Sequence, residues 1–218
     1  MAISSMAASG RRICLHLAAS LWQVDRTVYN DRMSDAPLSA TPRERILRAA
    51  HDLFYRDGIR ATGIDRIIAE SGVAKLTFYR QFASKDDLIL AFLDFRHERW
   101  MAWFVDALAR HGGSPAAIAP ALGEWLAGAG YRGCAFLNSV GELGPALPAV
   151  VEATRRHKAD MTAAVARLLA PGRGRARVAR ALALAIDGAI VQAQFLESPA
   201  AAIDALALVA RALDREGA

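Results

Sequence analysis

The sequence predicts an all-α fold, and three observations carry that expectation. No apolar–polar alternation of strand type persists for more than a few residues along the 218-residue chain. Helix-start signals recur ahead of apolar stripes of helical period: "TPRE" at 41–44, "TGID" at 62–65 and "SKDD" at 84–87. Glycine- and proline-rich clusters ("GGSP", "GAGYRG", "GPALP", "PGRG") then divide the second half into further helices.

In the first element, Thr41 is the expected N-cap, Pro42 the first helical residue and Glu44 the partner in a capping box. Ile46, Ala49, Ala50, Leu53 and Phe54 form its apolar stripe, and Gly58 ends it near Asp57. Thr62 is expected to cap a second helix whose face is Ile64, Ile67 and Ile68, running to about Ser71. Gly72 allows a tight turn, Val73 fills the angle, and Leu76, Phe78 and Phe82 are read as the buried side of a short third helix. A fourth helix starts at Ser84 and continues to about Arg110. Five more are expected near 116–127, 134–143, 148–169, 175–196 and 199–214.

A helix, a Gly-Val turn and a short second helix is the geometry of a helix-turn-helix, whose last helix enters the DNA major groove. With Phe78 and Leu76 turned inward, Lys75, Thr77, Tyr79 and Arg80 occupy the outer arc. Their ammonium, hydroxyl and guanidinium groups suit base edges and phosphates. Lys85, in the first turn of the next helix, is placed to hold a phosphate together with free backbone N–H groups. Thr62, at the start of the second helix, completes the DNA-binding candidates. A formal charge of +5 permits a polyanionic partner without requiring one. Only three of the 27 basic residues are lysines, and two of those, Lys75 and Lys85, lie in this region.

The segments "RILRAAHDLFYRDG", "TGIDRIIAESGV", "KLTFYRQF" and "SKDDL", in this order and spacing, resemble the DNA-binding domain of the TetR/AcrR family of bacterial transcription regulators. The resemblance covers about a quarter of the chain. It implies that Lys75, Thr77, Tyr79 and Lys85 occupy DNA-contacting positions. Ala74 departs from the family pattern, which commonly has a capping serine there. "RGCAFLNSVGELG" and "DGAIVQAQF" resemble segments of one subgroup, and imply an all-helical effector-binding domain that dimerises through its last two long helices.

The expected organisation is therefore a leader at 1–40, a helix-turn-helix DNA-binding domain at 41–95 and a helical ligand-binding and dimerisation domain at 96–218. The leader is read as disordered or as a mis-assigned start ahead of Met33. Its "VDRTVY" (24–29) can be encoded as GTAGACCGTACGGTCTAC, which equals its own reverse complement, and so reads as a translated operator. In the second domain Ala181, Ala185, Gly188 and Ala189 would admit a close partner helix, and Ile203, Leu206, Ala210 and Leu213 form a stripe on the last helix. Effector-site candidates are the aromatic and polar residues inside apolar segments: Trp103, Phe104, Trp125, Phe136, Asn138, Glu142 and Gln192. Asn138 and Glu142, four residues apart, are read as a buried polar pair that either recognises a ligand group or satisfies a helix terminus. His157, in "RRHKAD", is read as part of a solvated face. Cys134 is read as a small buried hydrophobe, since a redox role would need an electropositive setting.

The functional expectation is a sequence-specific DNA-binding regulator, a homodimeric repressor released from a palindromic double-stranded operator by a small-molecule effector. The alternative is a helical interaction protein that has lost specific DNA binding. No enzyme is expected, because no motif surrounds Cys134, His157 and Glu142 as nucleophile, base and orienter. No metal or cofactor is expected either, as the two cysteines have neither CxxC nor Cys/His spacing. No run reaches the roughly 18 apolar residues of a membrane span. The arginines and short apolar run of "RRICLHLAASLW" are interrupted by His16 and lack a cleavage site, so a cytoplasmic protein is expected.

Overall fold

The computed structural model describes residues 40–217. The expected leader and its "VDRTVY" hexapeptide lie outside the described residues. Among those described there are nine α-helices and no strand: α1 (Pro42–Asp57), α2 (Ile64–Ser71), α3 (Lys75–Gln81), α4 (Lys85–Arg110), α5 (Ile118–Leu126), α6 (Ala135–Leu143), α7 (Pro148–Arg167), α8 (Arg175–Gln192) and α9 (Ala200–Gly217). A 3-10 turn, Pro115–Ala117, leads into α5. None of the described helices is long and apolar enough to cross a membrane.

The first capping box forms as the residues dictate: Glu44 N–H donates to the Thr41 hydroxyl, and Thr41 N–H donates to the Glu44 carboxylate. Those bonds hold the Glu44 carboxyl below its usual range. Ser84 caps α4 through Asp87 N–H. The second expected cap is corrected. Gly63 is the N-cap of α2 without a side-chain bond, while Thr62 is fully buried and donates its hydroxyl to Gly58 O at 2.8 Å. Turning inward satisfies the Thr62 hydroxyl within the loop that joins α1 to α2.

Helices α1, α2 and α3 pack around Ile46, Leu53, Ile67, Val73, Phe78 and Phe82. Gly72 takes the left-handed conformation (φ 63°) that lets α2 turn sharply into α3. Leu76, expected on the buried side, is 65% exposed. Phe78 and Phe82 fill that side, and Arg43 stacks over Phe82 while donating to Gln81 O. The long α4 belongs to both halves: its first turns pack on α1 and its later turns on α5, α6 and α7. The outer layer is α7 on α8, α8 on α9, and α9 back on α5.

Ala74 begins α3 with extended backbone but no side-chain acceptor for the first N–H groups. We expect Ala74→Ser to raise unfolding stability by about 1 kcal/mol in urea denaturation, with the m-value unchanged.

Candidate nucleic-acid interface and the cavities behind it

The outer arc of α3 presents Lys75, Tyr79 and Arg80 to solvent, with Thr77 half-buried between them. Lys75 Nζ lies 3.3 Å from Asp65 Oδ1, both groups exposed, an ion pair weak enough for a phosphate to displace. Exposed Leu76 adds an apolar surface suited to a thymine methyl, a feature that the helical period assigned to the core. Lys85 points back instead, donating to Ile59 O at 2.7 Å, and its partial burial lowers its pKa. Thr62, fully buried, lies beneath this surface.

Behind the helix-turn-helix, the loop 58–63 is held from several sides. The Glu142 carboxylate, on α6, accepts Ile59 N–H at 3.2 Å and Arg60 N–H at 2.8 Å, and Arg60 Nε donates to Glu142 O at 2.7 Å. Gly58 has φ 90°, and a Cβ there would sit 3.3 Å from Glu142 Oε1. Both its conformation and the close approach require glycine. Nearby, Tyr55 donates to Gly133 O at 2.9 Å and accepts from Arg132 N–H at 3.1 Å, tying α1 to the loop before α6. Burial raises the Tyr55 pKa and keeps its hydroxyl a donor.

The effector-site candidates divide between three places. Glu142 and Asn138 line a cavity of about 220 Å³ between α1 and α6, with Tyr55, Phe92 and Arg132. They do not form a buried pair: Asn138 is exposed and donates to Arg132 O, while Glu142 serves the loop amides. Trp103, Phe104, Trp125 and Phe136 gather instead around Trp100, whose ring centroid is 4.6 Å from Phe104 and 5.7 Å from Trp125. This aromatic packing is nearly closed, leaving a cavity of about 10 Å³ beside Cys134 and His157. Gln192 is exposed at the end of α8, away from both cavities' linings.

His157 is corrected from a solvated residue to a buried one, stacked on Phe136 with ring centroids 3.7 Å apart and planes at 6°. Its neighbours Arg155 and Arg156 are exposed, so one helical face of "RRHKAD" is solvated and the other is core. Cys134 is buried, as expected. Lys158 Nζ lies 3.5 Å from its sulfur and 2.5 Å from Asp187 Oδ1, a cluster with no sequence motif to announce it. Because Glu142 is committed to the loop amides, Cys134, His157 and Glu142 do not assemble as a catalytic triad. Among the described residues no three or more His, Cys, Asp or Glu side chains gather in a way that could hold a metal ion.

A three-helix unit with an exposed polar α3, set on a larger helical body, defines a helix-turn-helix DNA-binding protein. The family model "Bacterial regulatory proteins, tetR family" matches residues 46–92. A TetR-family transcriptional regulator from Streptomyces coelicolor is similar with a TM-score of 0.71 and 34% identity, over 81% of this chain and 95% of that one. A TetR transcriptional regulator from Chloroflexus aurantiacus is similar with a TM-score of 0.65 and 27% identity, over 78% and 92%. An uncharacterized HTH-type transcriptional regulator of Lactococcus lactis is 30% identical over 106 residues, 46% of this chain and 54% of that protein. The chain thus spans about half the length of this curated relative. It belongs to the TetR family of transcriptional regulators, a family of DNA-binding proteins and not of enzymes.

Burial is the first cause of a His157 pKa lowered to about 2, with nearby Lys158 acting in the same direction. The unfolded chain protonates this ring below about pH 6.5 and the folded chain does not, so the folded state loses stability as pH falls from there towards 2. Buried His51 acts in the same sense. Urea unfolding at pH 7.5 and 5.5 is expected to show a loss of about 1 kcal/mol at the lower pH, and His157→Phe to remove most of it.

Proposed function

We propose that the chain is a homodimeric repressor, held on a palindromic operator by α3 and released when a small molecule occupies the body behind it. The observation that carries this reading is the Glu142 clamp: the helix lining the α1–α6 cavity also holds the loop entering the helix-turn-helix. A ligand that favours one position of α6 therefore biases the angle of α3. The division at residues 95 and 96 falls inside continuous α4, which gives the two functional halves a shared rigid element.

Dimerisation follows from what α8 and α9 leave uncovered. Ile203, Leu206, Ala210 and Ala189 are buried within the protomer, so they are not the free face that their stripes suggested. Among the exposed residues are Leu184, Gly188, Val191 and Phe195 along α8 and the turn after it, and Ala201, Ala205, Leu208 and Ala212 on α9. Each set repeats at intervals of four, three and four, the seam of a helix pair. Leu184 is 74% and Phe195 70% exposed. A second copy covers this apolar surface in a four-helix interface and brings two α3 helices to half-sites about 34 Å apart or a multiple of it.

The proposed DNA contacts are Lys75, Thr77, Tyr79 and Arg80, with Leu76 beside them. Lys85 reaches a phosphate by exchanging its bond to Ile59 O, and Thr62 supports the loop from within. The duplex GTAGACCGTACGGTCTAC, one encoding of residues 24–29, is the candidate operator, because a twofold dimer reads an inverted repeat.

Binding of the full chain to this duplex and to a scrambled one, across a salt series, tests the reading. Lys75→Ala is expected to reduce specific binding by about 1–3 kcal/mol, and Lys85→Ala to lower the salt slope by about 1. Equal, weak binding to both duplexes rejects this operator. No sequence preference across a genomic library rejects specific repression and favours the interaction-protein reading, which the uncapped Ala74 start of α3 suits.

Leu184→Glu places a charge in the proposed seam. Sedimentation is expected to show a monomer in place of a dimer at micromolar concentration, with the circular-dichroism spectrum kept. A dimer that persists rejects the seam.

A further inference from the structure

The cavity beside Cys134 is built for chemistry that the helix-turn-helix does not use. Cys134 is the N-cap residue of α6 and is only 4% exposed. The Lys158 ammonium stands 3.5 Å from its sulfur as a hydrogen-bond donor, and an ion pair to Asp187 holds it in place there. A second, independent feature lines the same cavity. Trp100 is 97% buried (3% exposed), and its indole Nε1–H has no hydrogen-bond partner. A buried donor left unmatched calls for an acceptor that the protein does not provide.

Nucleophile, cation and orphan donor around one small cavity match one class of molecule. We propose that Cys134 is a covalent receptor for small α,β-unsaturated carbonyl compounds, whose carbonyl oxygen accepts from Trp100 Nε1–H. The Cys134 sulfur bonds to the β-carbon as the carbon–carbon π bond breaks, and that electron pair moves towards the carbonyl oxygen. The proton lost from sulfur is replaced by one taken up at the α-carbon. Thiol and alkene combine without loss of atoms, and no oxidant or reductant takes part. Lys158 balances the negative charge on sulfur during the addition.

The free space of about 10 Å³ is smaller than any such adduct, so the product overfills the aromatic packing and displaces its walls. The start of α6 forms one wall of this cavity, and the far end of that helix carries Glu142. Covalent modification at one end thereby loosens the hold on loop 58–63 at the other. This signal rests on the proposed reading of the chain as a releasable repressor, whereas the modification itself does not.

The test treats the full chain with stoichiometric acrolein and follows adducts by peptide mass mapping, with Cys14 as a reference thiol in the same molecule. Cys134 is expected to react faster than Cys14, and about tenfold more slowly in Lys158→Met than in wild type or Lys158→Arg. Trp100→Phe is expected to slow acrolein but not methyl methanethiosulfonate, which has no carbonyl; a merely structural Trp100 would alter both alike. Labelling confined to Cys14, or equal Cys134 rates in wild type and Lys158→Met, overturns the receptor. Equal effects of Trp100→Phe on both reagents overturn the carbonyl contact. Acrolein is expected to abolish operator binding by wild type and leave Cys134→Ser bound; binding retained by a fully labelled protein overturns the coupling. Labelling as expected in a chain that never bound DNA upholds the receptor and removes the repressor reading alone.

Discussion

The carboxylate of Glu142 against the amides of Ile59 and Arg60 is the contact on which the arrangement of this molecule turns. The C-terminus of a helix exposes carbonyl groups, and the residues that follow carry N–H groups with no helical partner. Here α1 ends at Asp57, Gly58 bends away, and the next two donors meet one carboxylate from a helix more than eighty residues later. Lys85 takes the neighbouring carbonyl and Thr62 the one before it. The loop's polar groups are thus distributed among α6, α4 and its own Thr62. That distribution fixes how the helix-turn-helix sits on the body.

On the proposed reading, the body must be stiff enough to transmit a displacement and open enough to receive a ligand. The aromatic cluster around Trp100 supplies stiffness, since stacked and edge-on rings leave little space. Its cost in polar groups is visible at Trp100 Nε1, a donor stranded in the packing. The opening lies elsewhere, between α1 and α6, where Arg132 and Asn138 contribute polar rims. Neutral His157, flat against Phe136, behaves as one more aromatic face in this core.

Much of the fold was legible because its punctuation is local. Thr41 with Glu44, Ser84 with Asp87, and Gly72 after Ser71 act on their immediate neighbours, so sequence alone placed α1, α4 and the turn before α3. Thr62 misled because a hydroxyl before a helix has two uses, capping the helix or bonding back to the preceding loop, and burial decided for the second. Leu76 misled because a seven-residue helix has too few turns to define a face by period. The exposed side of α3, with Lys75, Tyr79 and Arg80, could be read from the family pattern. The clusters at Glu142 and at Cys134, Lys158 and Asp187 could not, since they join residues from different helices whose approach is set only by packing.

On the proposed reading, the uncovered stripe of Leu184, Gly188, Val191 and Phe195 would tie the behaviour of the protein to its own abundance. If two copies must meet across it before α3 can read both halves of a site, the concentration of competent protein at low abundance rises as the square of the chain concentration. Halving expression would then lower operator occupancy by more than half, and a modest rise in synthesis would silence the target steeply. Mass action across an apolar stripe would make the response sharp without any cooperativity on the DNA.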